Sequence, residues 1–383
     1  MAFNISRAIL YTLATPLLPA TCCGASFAAT ELASYDPRDI IERDIIVIGG
    51  GSSGTYSSIR LKDHNKTIVM IEKQAQLGGH AEAWVEPSTG TPFDIGVVVF
   101  ARSNTVTDYF ARFNLSLTPI ESASTSEYVE FSSSKVIDFV PPSQEALTTV
   151  LSAYLDQLHK YPALQDGFKM TYPVESDLLL SFGEFITKYG LEDLVFRAFL
   201  VNQGAAPLLD ISMLYIFKYL NSDEVDSLER SFLTTQHHST TELYRNAAEY
   251  LGSDVLLNST VLAMDRSRPE EARVAVQTSS GPKLLIAKRI LSTIPPLLEN
   301  MDGYDLSEGE KSLFRKFFAN GYYTGVLNNT GLDKALIATG PGQPYGMPVL
   351  PGIYSAYPIP VHRHRRWLLR EASFVTRAAK YFL

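Results

Sequence analysis

The residues best suited to chemistry are three glycines and an acid. Gly49, Gly51 and Gly54 are spaced G-x-G-x-x-G, and Glu72 lies eighteen residues beyond the last of them. Glycines so spaced make a tight turn, let backbone approach a pyrophosphate and let a helix pack closely on the strand before it. The helix opening at Ser52 and Ser53 turns free N–H groups and the positive end of its dipole toward phosphate. An acid at the distance of Glu72 suits a ribose hydroxyl. The chemistry implied is dinucleotide binding. The spacing alone is a weak signal, so its setting decides.

A strand, a helix and a second strand must hold these groups. Ile45 to Ile48 is a short apolar run that reads as a fully buried parallel strand, and Arg43–Gly54 (RDIIVIGGGSSG) carries it straight into the glycines. A helix follows through Tyr56, Ile59 and Leu61, with His64 and Asn65 at the turn after it. Ile68 to Ile71 is a second apolar run, closed by Glu72. Residues 43–72 are therefore a β-α-β unit, preceded by a polar linker at 30–42.

At 383 residues the chain exceeds one typical domain, and two intertwined domains are expected. Its 45% hydrophobic and 19% charged content is that of a globular protein. A net charge of −8 argues against a nucleic-acid partner. Residues 1–29 read as a secretory signal peptide: Arg7, an apolar stretch from Ala8 to Leu18, then small residues around Ala25 and Ala28. That stretch is interrupted by Pro16 and Pro19 and is too short for a membrane span. Both cysteines, Cys22 and Cys23, fall inside it, so the mature chain would hold no disulfide, thiolate metal site or cysteinyl-flavin link. A secreted or endomembrane location follows as an expectation. Asn65, Asn114, Asn258 and Asn328 each open a glycosylation triplet.

After Glu72 come Lys73 and then Gly78-Gly79-His80. An acid closing the second strand, followed by Gly-Gly, resembles the extended FAD fingerprint of the flavin amine oxidase and phytoene desaturase superfamily. His80 stands where many members carry arginine, which is similar to a fungal branch, the β-cyclopiazonate dehydrogenases. The resemblance implies an α/β fold: a Rossmann-like FAD-binding domain of the GR2 type with an inserted α+β substrate domain. It implies FAD as cofactor, with Glu72 on the adenosine ribose and Gly78-Gly79 along the pyrophosphate. Lys73, Ser52 and Ser53 join the cofactor-binding set. Thr91 to Gly96 resembles the hydrophobic-Asp-x-Gly segment that folds beside the isoalloxazine, which makes Asp94 and Gly96 candidates; a hairpin end with a turn aspartate is the plainer alternative. His80 is a phosphate or flavin neighbour on the same footing, or a packed histidine.

The expected domains are FAD-binding at 43–116 and 236–300, and substrate-binding at 117–235 and 301–356. The substrate domain starts with short strands at Tyr128–Phe131 and Lys135–Val140, then helices at Ser143–Leu158, Ser181–Tyr189, Leu191–Leu200 and Ile211–Leu220. Tyr189, Phe196, Phe199, Tyr215, Phe217 and Tyr219 read as core, with some lining a cavity. Ser239 to Glu242 reads as a capping box opening a helix through Leu251. Asp254 to Met264, Arg273 to Thr278 and Ala287 to Pro296 resemble the middle of the FAD domain, where Val261 would hold the adenine by its backbone. The chain shows no second G-x-G-x-x-G in a strand–helix setting.

The resemblance runs from about residue 43 to about 356. The tail at 357–383, with Arg363, Arg365, Arg366 and Arg370, departs from it and reads as solvated and disordered, and a truncated or replaced C-terminus is expected. His237 and His238 are adjacent, so they face different directions and form no metal pair. No P-loop lysine motif is present. The resemblance implies two-electron oxidation of a small organic molecule, a fungal alkaloid or terpenoid intermediate, by hydride transfer to flavin, with oxygen or another acceptor following. No residue stands out as a catalytic base. Three alternatives stay open: a non-catalytic flavin-fold protein, an amine oxidase of primary metabolism and an NAD-dependent dehydrogenase, the last disfavoured by Gly78-Gly79.

Overall fold

The structure, a computed structural model, describes residues 35–120, 125–165, 167–168, 170–201, 207–319, 321–327, 334–349 and 352–358, and the backbone of 374–380. The expected signal peptide with its two cysteines, Asn328 and the four tail arginines lie outside the described residues.

From a 3-10 turn at Pro37–Asp39 the chain enters β1 (Ile40–Ile48), α1 (Ser52–Asp63) and β2 (Ile68–Ile71). A hairpin, β3 (Ala83–Val85) and β4 (Pro92–Asp94), precedes α2 (Asn104–Arg112), whose first turn is capped by the Ser103 hydroxyl. Next are β5 (Leu117–Pro119), β6 (Ser126–Glu130) and β7 (Lys135–Val136). A helical stretch follows: α3 (Gln144–Leu158), α4 (Ser176–Leu179), α5 (Phe182–Tyr189), α6 (Val195–Val201), α7 (Met213–Tyr219) and α8 (Ser222–Arg230). The chain returns through β8 (Leu233–Thr235), α9 (Thr241–Leu251), β9 (Val255–Leu256), β10 (Thr260–Arg268), β11 (Glu271–Thr278), β12 (Gly281–Ser292) and α10 (Glu308–Phe314). It closes with β13 (Gly321–Leu327), β14 (Ala335–Ala338), β15 (Gly352–Pro358) and β16 (Phe374–Lys380).

Twelve of these strands build two six-stranded sheets, while β3 pairs with β4 and β5 with β8. The first runs β10-β11-β12-β1-β2-β9, and the second β13-β16-β15-β14-β6-β7. β1 sits in the middle of the first sheet, parallel to β2 on one side and β12 on the other. Its neighbours explain the unbroken apolar run. Val47 faces Ile59, Met70, Leu243 and Tyr244, whereas Ile46 and Ile48 face Met264, Val274, Val276 and Leu285. A strand covered on both faces has no side left for polar residues. The second sheet buries one face under α3 to α8, a core rich in Phe182, Phe185, Phe196 and Phe217.

Several elements depart from the sequence reading. Ile40–Glu42, expected in a linker, already belong to β1, because β12 extends far enough to pair with them. Residues 301–314, expected with the substrate unit, pack on the first sheet: Arg266 binds Asp305 and Glu310, and Tyr304 joins the core under Met264. Of the expected 135–140 strand, Lys135–Val136 forms β7, and the Ile137 N–H adds one bond to the Tyr128 carbonyl at 2.8 Å. Phe196, Phe199 and Phe217 are core, but Tyr215 is exposed. Part of the expected tail, Phe374–Lys380, is a strand between β13 and β15.

Candidate cofactor site

Two glycine-rich turns meet above the end of β1. Gly54 is buried in the first turn of α1, and a Cβ there would lie 1.8 Å from the Gly49 carbonyl. Only glycine lets the helix sit that close to the strand. Thr293, just past β12, donates its hydroxyl to the carbonyls of Ile48 (2.9 Å) and Gly49 (3.1 Å), which holds the turn from behind. Gly51 differs: its φ is −69°, open to any residue, and a Cβ would meet only the Gly79 Cα at 3.9 Å. Gly79 in turn would place a Cβ 3.0 Å from the Gly51 Cα, and the Gly78 N–H donates to the Gly50 carbonyl at 2.9 Å. The result is a strip of bare backbone from two separate turns. Ser52 and Ser53 are exposed beside it on the first turn of α1. A pyrophosphate suits this strip, since side chains on either glycine would fill it.

Glu72 lies at one end. It is buried and accepts the N–H of Gly50 at 2.6 Å and the N–H of Gln74 at 2.7 Å, one on each oxygen. A carboxylate has about four acceptor positions, so capacity remains for a ribose hydroxyl. Lys73 is exposed next to it. Val261, half-buried in β10, reaches the same end because the segment before it pairs with the Glu72 backbone: the Ser259 N–H donates to Glu72 and the Asn258 N–H to Gln74, both at 2.9 Å.

At the other side of the Gly78-Gly79 turn, His80 is exposed, and its carbonyl accepts the Val97 N–H at 3.2 Å. A Cβ on Gly96 would lie 1.9 Å from that carbonyl, so Gly96 is what allows the two segments to touch. Asp94 is buried and faces α9. Its carboxylate accepts the Thr240 N–H at 2.7 Å and the Thr235 hydroxyl at 3.3 Å. Burial pushes the Asp94 carboxyl above its ordinary range, against the opposing hydrogen bonds from Thr240 and Thr235 and the nearby His238. Asp94 is therefore a positioning group for the start of α9. The expected capping box at Ser239 to Glu242 does not form. Thr240 is the N-cap, without a side-chain cap bond, and Glu242 meets His237 at 2.9 Å instead.

Tyr244, on α9, has no signature in the sequence beyond its place on an amphipathic helix. It is buried, its ring would lie 3.0 Å from a Cβ on Gly78, and its hydroxyl lies beside the Ser52 side chain. It thus braces both turns. A separate cleft of about 360 Å³, lined by Arg266, Lys288, Tyr304 and Phe314 among others, shares no residue with the cradle. Among the described residues no group of three His, Cys, Asp or Glu side chains is arranged to hold a metal, and no helix is long and apolar enough to cross a membrane.

Residues 47–113 match the family of NAD(P)-binding Rossmann-like domains. Solved structures share the fold across most of the chain. A conjugated-linoleic-acid-producing fatty acid isomerase from P. acnes superposes with a TM-score of 0.71 at 17% identity, covering 89% of this chain and 77% of that one. A putrescine oxidase variant gives 0.64 at 17% identity, covering 89% and 76%. Curated relatives are nearer in sequence. An FAD-dependent oxidoreductase of Apiospora sacchari is 35% identical over 349 residues, 88% of this chain and 74% of that protein. The β-cyclopiazonate dehydrogenase of Aspergillus flavus is 34% identical over 321 residues, 82% and 69% of the two chains. With a Rossmann-like cradle whose residues suit FAD and relatives at this level, the chain belongs to the fungal FAD-dependent oxidoreductases that include the β-cyclopiazonate dehydrogenases.

Proposed function

We propose that the chain oxidises an apolar small molecule in fungal secondary metabolism, an alkaloid or terpenoid intermediate, with FAD lying along the two glycine turns. The bare backbone strip between Gly51 and Gly79, with Glu72 at its end, is the observation that carries this reading. The first-turn N–H groups of α1 meet the pyrophosphate charge, Glu72 orients the adenosine ribose, and Val261 borders the adenine. Tyr244 and Thr293 keep the turns in place, and Asp94 fixes α9 and with it Tyr244. Bound FAD supplies a two-electron acceptor for a substrate hydride, with oxygen or another acceptor taking the electrons afterwards. The aromatic helical layer over the second sheet suits an apolar substrate. Relatives that carry the β-cyclopiazonate dehydrogenase name favour a substrate of this kind.

The test is an absorbance spectrum of the purified full chain, followed by titration with FAD and with NAD. Flavin bands that bleach with a substrate from a metabolite panel support the reading. A colourless protein that FAD cannot reconstitute sinks it. We further propose passage through the secretory route. Asn65, Asn114 and Asn258 are all exposed, each with positive φ. A mass unchanged by glycosidase treatment of the native fungal protein would overturn the glycan proposal.

A further inference from the structure

The helical layer of the second unit holds a cation with no anion beside it among the described residues. Arg197 lies on α6 between Phe196 and Phe199, in the layer that covers the second sheet. Its Nε is buried and has no hydrogen-bond partner. Burial pulls the guanidinium below its ordinary range, and the groups that oppose this are two phenols, Tyr128 and Tyr357, with no carboxylate among them. A guanidinium desolvated without a counterion is destabilising, so such a group is usually paired or kept for a ligand.

Ser355 shares that condition. It is 1% exposed, and its Oγ has no partner. The sheet register brings the two groups into one layer. Tyr128 on β6 pairs with Ile337 on β14, and Ile337 pairs with Ser355 on β15. Tyr357 is two residues on, and side chains alternate along a strand, so Tyr128, Ile337, Ser355 and Tyr357 point to one face. That face is the one α6 covers: the Tyr128 ring lies 5.9 Å from the Phe196 ring, and Ile337 belongs to the helical core. A fork of N–H donors and a hydroxyl thus share an aromatic layer, with donor capacity that no described acceptor takes up.

We propose that Arg197, with Ser355, binds the carboxylate of an apolar organic acid, which rests on the reading of this unit as the substrate side. The guanidinium offers the bidentate geometry that carboxylates accept, and the surrounding rings suit the apolar body of such a molecule.

Calorimetric titration of the FAD-loaded full chain with indole-3-acetate and with indole-3-acetamide tests it. The acid is expected to bind at least about 10-fold more tightly than the amide, and Arg197→Met to weaken the acid by about 10- to 100-fold while leaving the amide unchanged. Ser355→Ala should weaken the acid a few-fold. Because Arg197→Met removes a desolvated charge at similar volume, that variant should melt at or above the wild-type temperature. Equal binding of acid and amide, no binding of either, wild-type acid affinity in Arg197→Met or a clear fall in its melting temperature would each overturn the inference. The flavin spectrum of the same samples keeps the two readings apart. A yellow protein indifferent to the acid overturns this site alone, and a colourless one that binds the acid through Arg197 overturns the flavin reading alone.

Discussion

The carboxylate of Asp94 accepts a 2.7 Å hydrogen bond from the backbone N–H of Thr240, 146 residues further along the chain. That bond joins the hairpin beside the Gly78-Gly79 turn to the start of α9, and α9 carries Tyr244 under the same turn. The two turns of the cradle are therefore braced by one helix whose position depends on a buried acid.

Asp94→Asn should be nearly isosteric and keep an acceptor for Thr240. The folded-state pKa of Asp94 is raised above the ordinary 3.8, so the native protein binds this proton more readily than the unfolded chain does. Stability from this group is present at low pH and is lost as pH rises from about 4 through the raised value, then levels off. The difference in melting temperature, wild type minus Asp94→Asn, should accordingly shrink over that range. Melting curves across a pH series check it, and a difference that grows with pH contradicts the assignment.

Gly51 and Gly54 should separate ligand binding from folding. Gly51→Ala fits, because its Cβ would meet only the Gly79 Cα at 3.9 Å, yet it fills the strip meant for pyrophosphate. It should fold with little change in stability and lose flavin. Gly54→Ala drives a methyl into the Gly49 carbonyl and should cost about 3 kcal/mol or more. Flavin content and urea melts of the two variants give the comparison.

Glu72→Gln should weaken FAD binding by about 10- to 100-fold, since a charge-assisted hydrogen bond to ribose becomes a neutral one. The loss should appear in FAD titration of the apoprotein. Retained affinity would place the ribose elsewhere.

Tyr244 should matter by its ring more than by its hydroxyl. Tyr244→Phe keeps the contact with Gly78 and should change stability by about 1 kcal/mol or less. Tyr244→Ala leaves a void beneath both turns and should cost about 3 to 5 kcal/mol, with FAD affinity falling in parallel. Chemical denaturation and FAD titration measure the two effects.

The β-α-β unit was legible in the sequence because its signals are local: an apolar run, three glycines and an acid within about thirty residues. The roles of Asp94 and Tyr244 were not, because each depends on a partner more than 140 residues away, and no short pattern records that distance. The misread capping box shows the same limit. Ser239 to Glu242 has the right residue types, but distant Asp94 takes the Thr240 N–H and neighbouring His237 takes Glu242, so one tertiary and one local partner displaced the motif. Ile40–Glu42, read as the end of a linker, are strand because β12 is long enough to pair with them. Arg197 could not be flagged at all, since an arginine on an amphipathic helix is ordinary until its surroundings are known.

The hydroxyl of Thr293 on the carbonyls of Ile48 and Gly49 has a consequence for biogenesis. The turn that faces the pyrophosphate is translated early, yet its backing strand leaves the ribosome some 245 residues later. A nascent chain shorter than that carries the whole G-x-G-x-x-G fingerprint and still has no finished place to put the cofactor. The backing of that turn is complete only once residues near 293 have emerged.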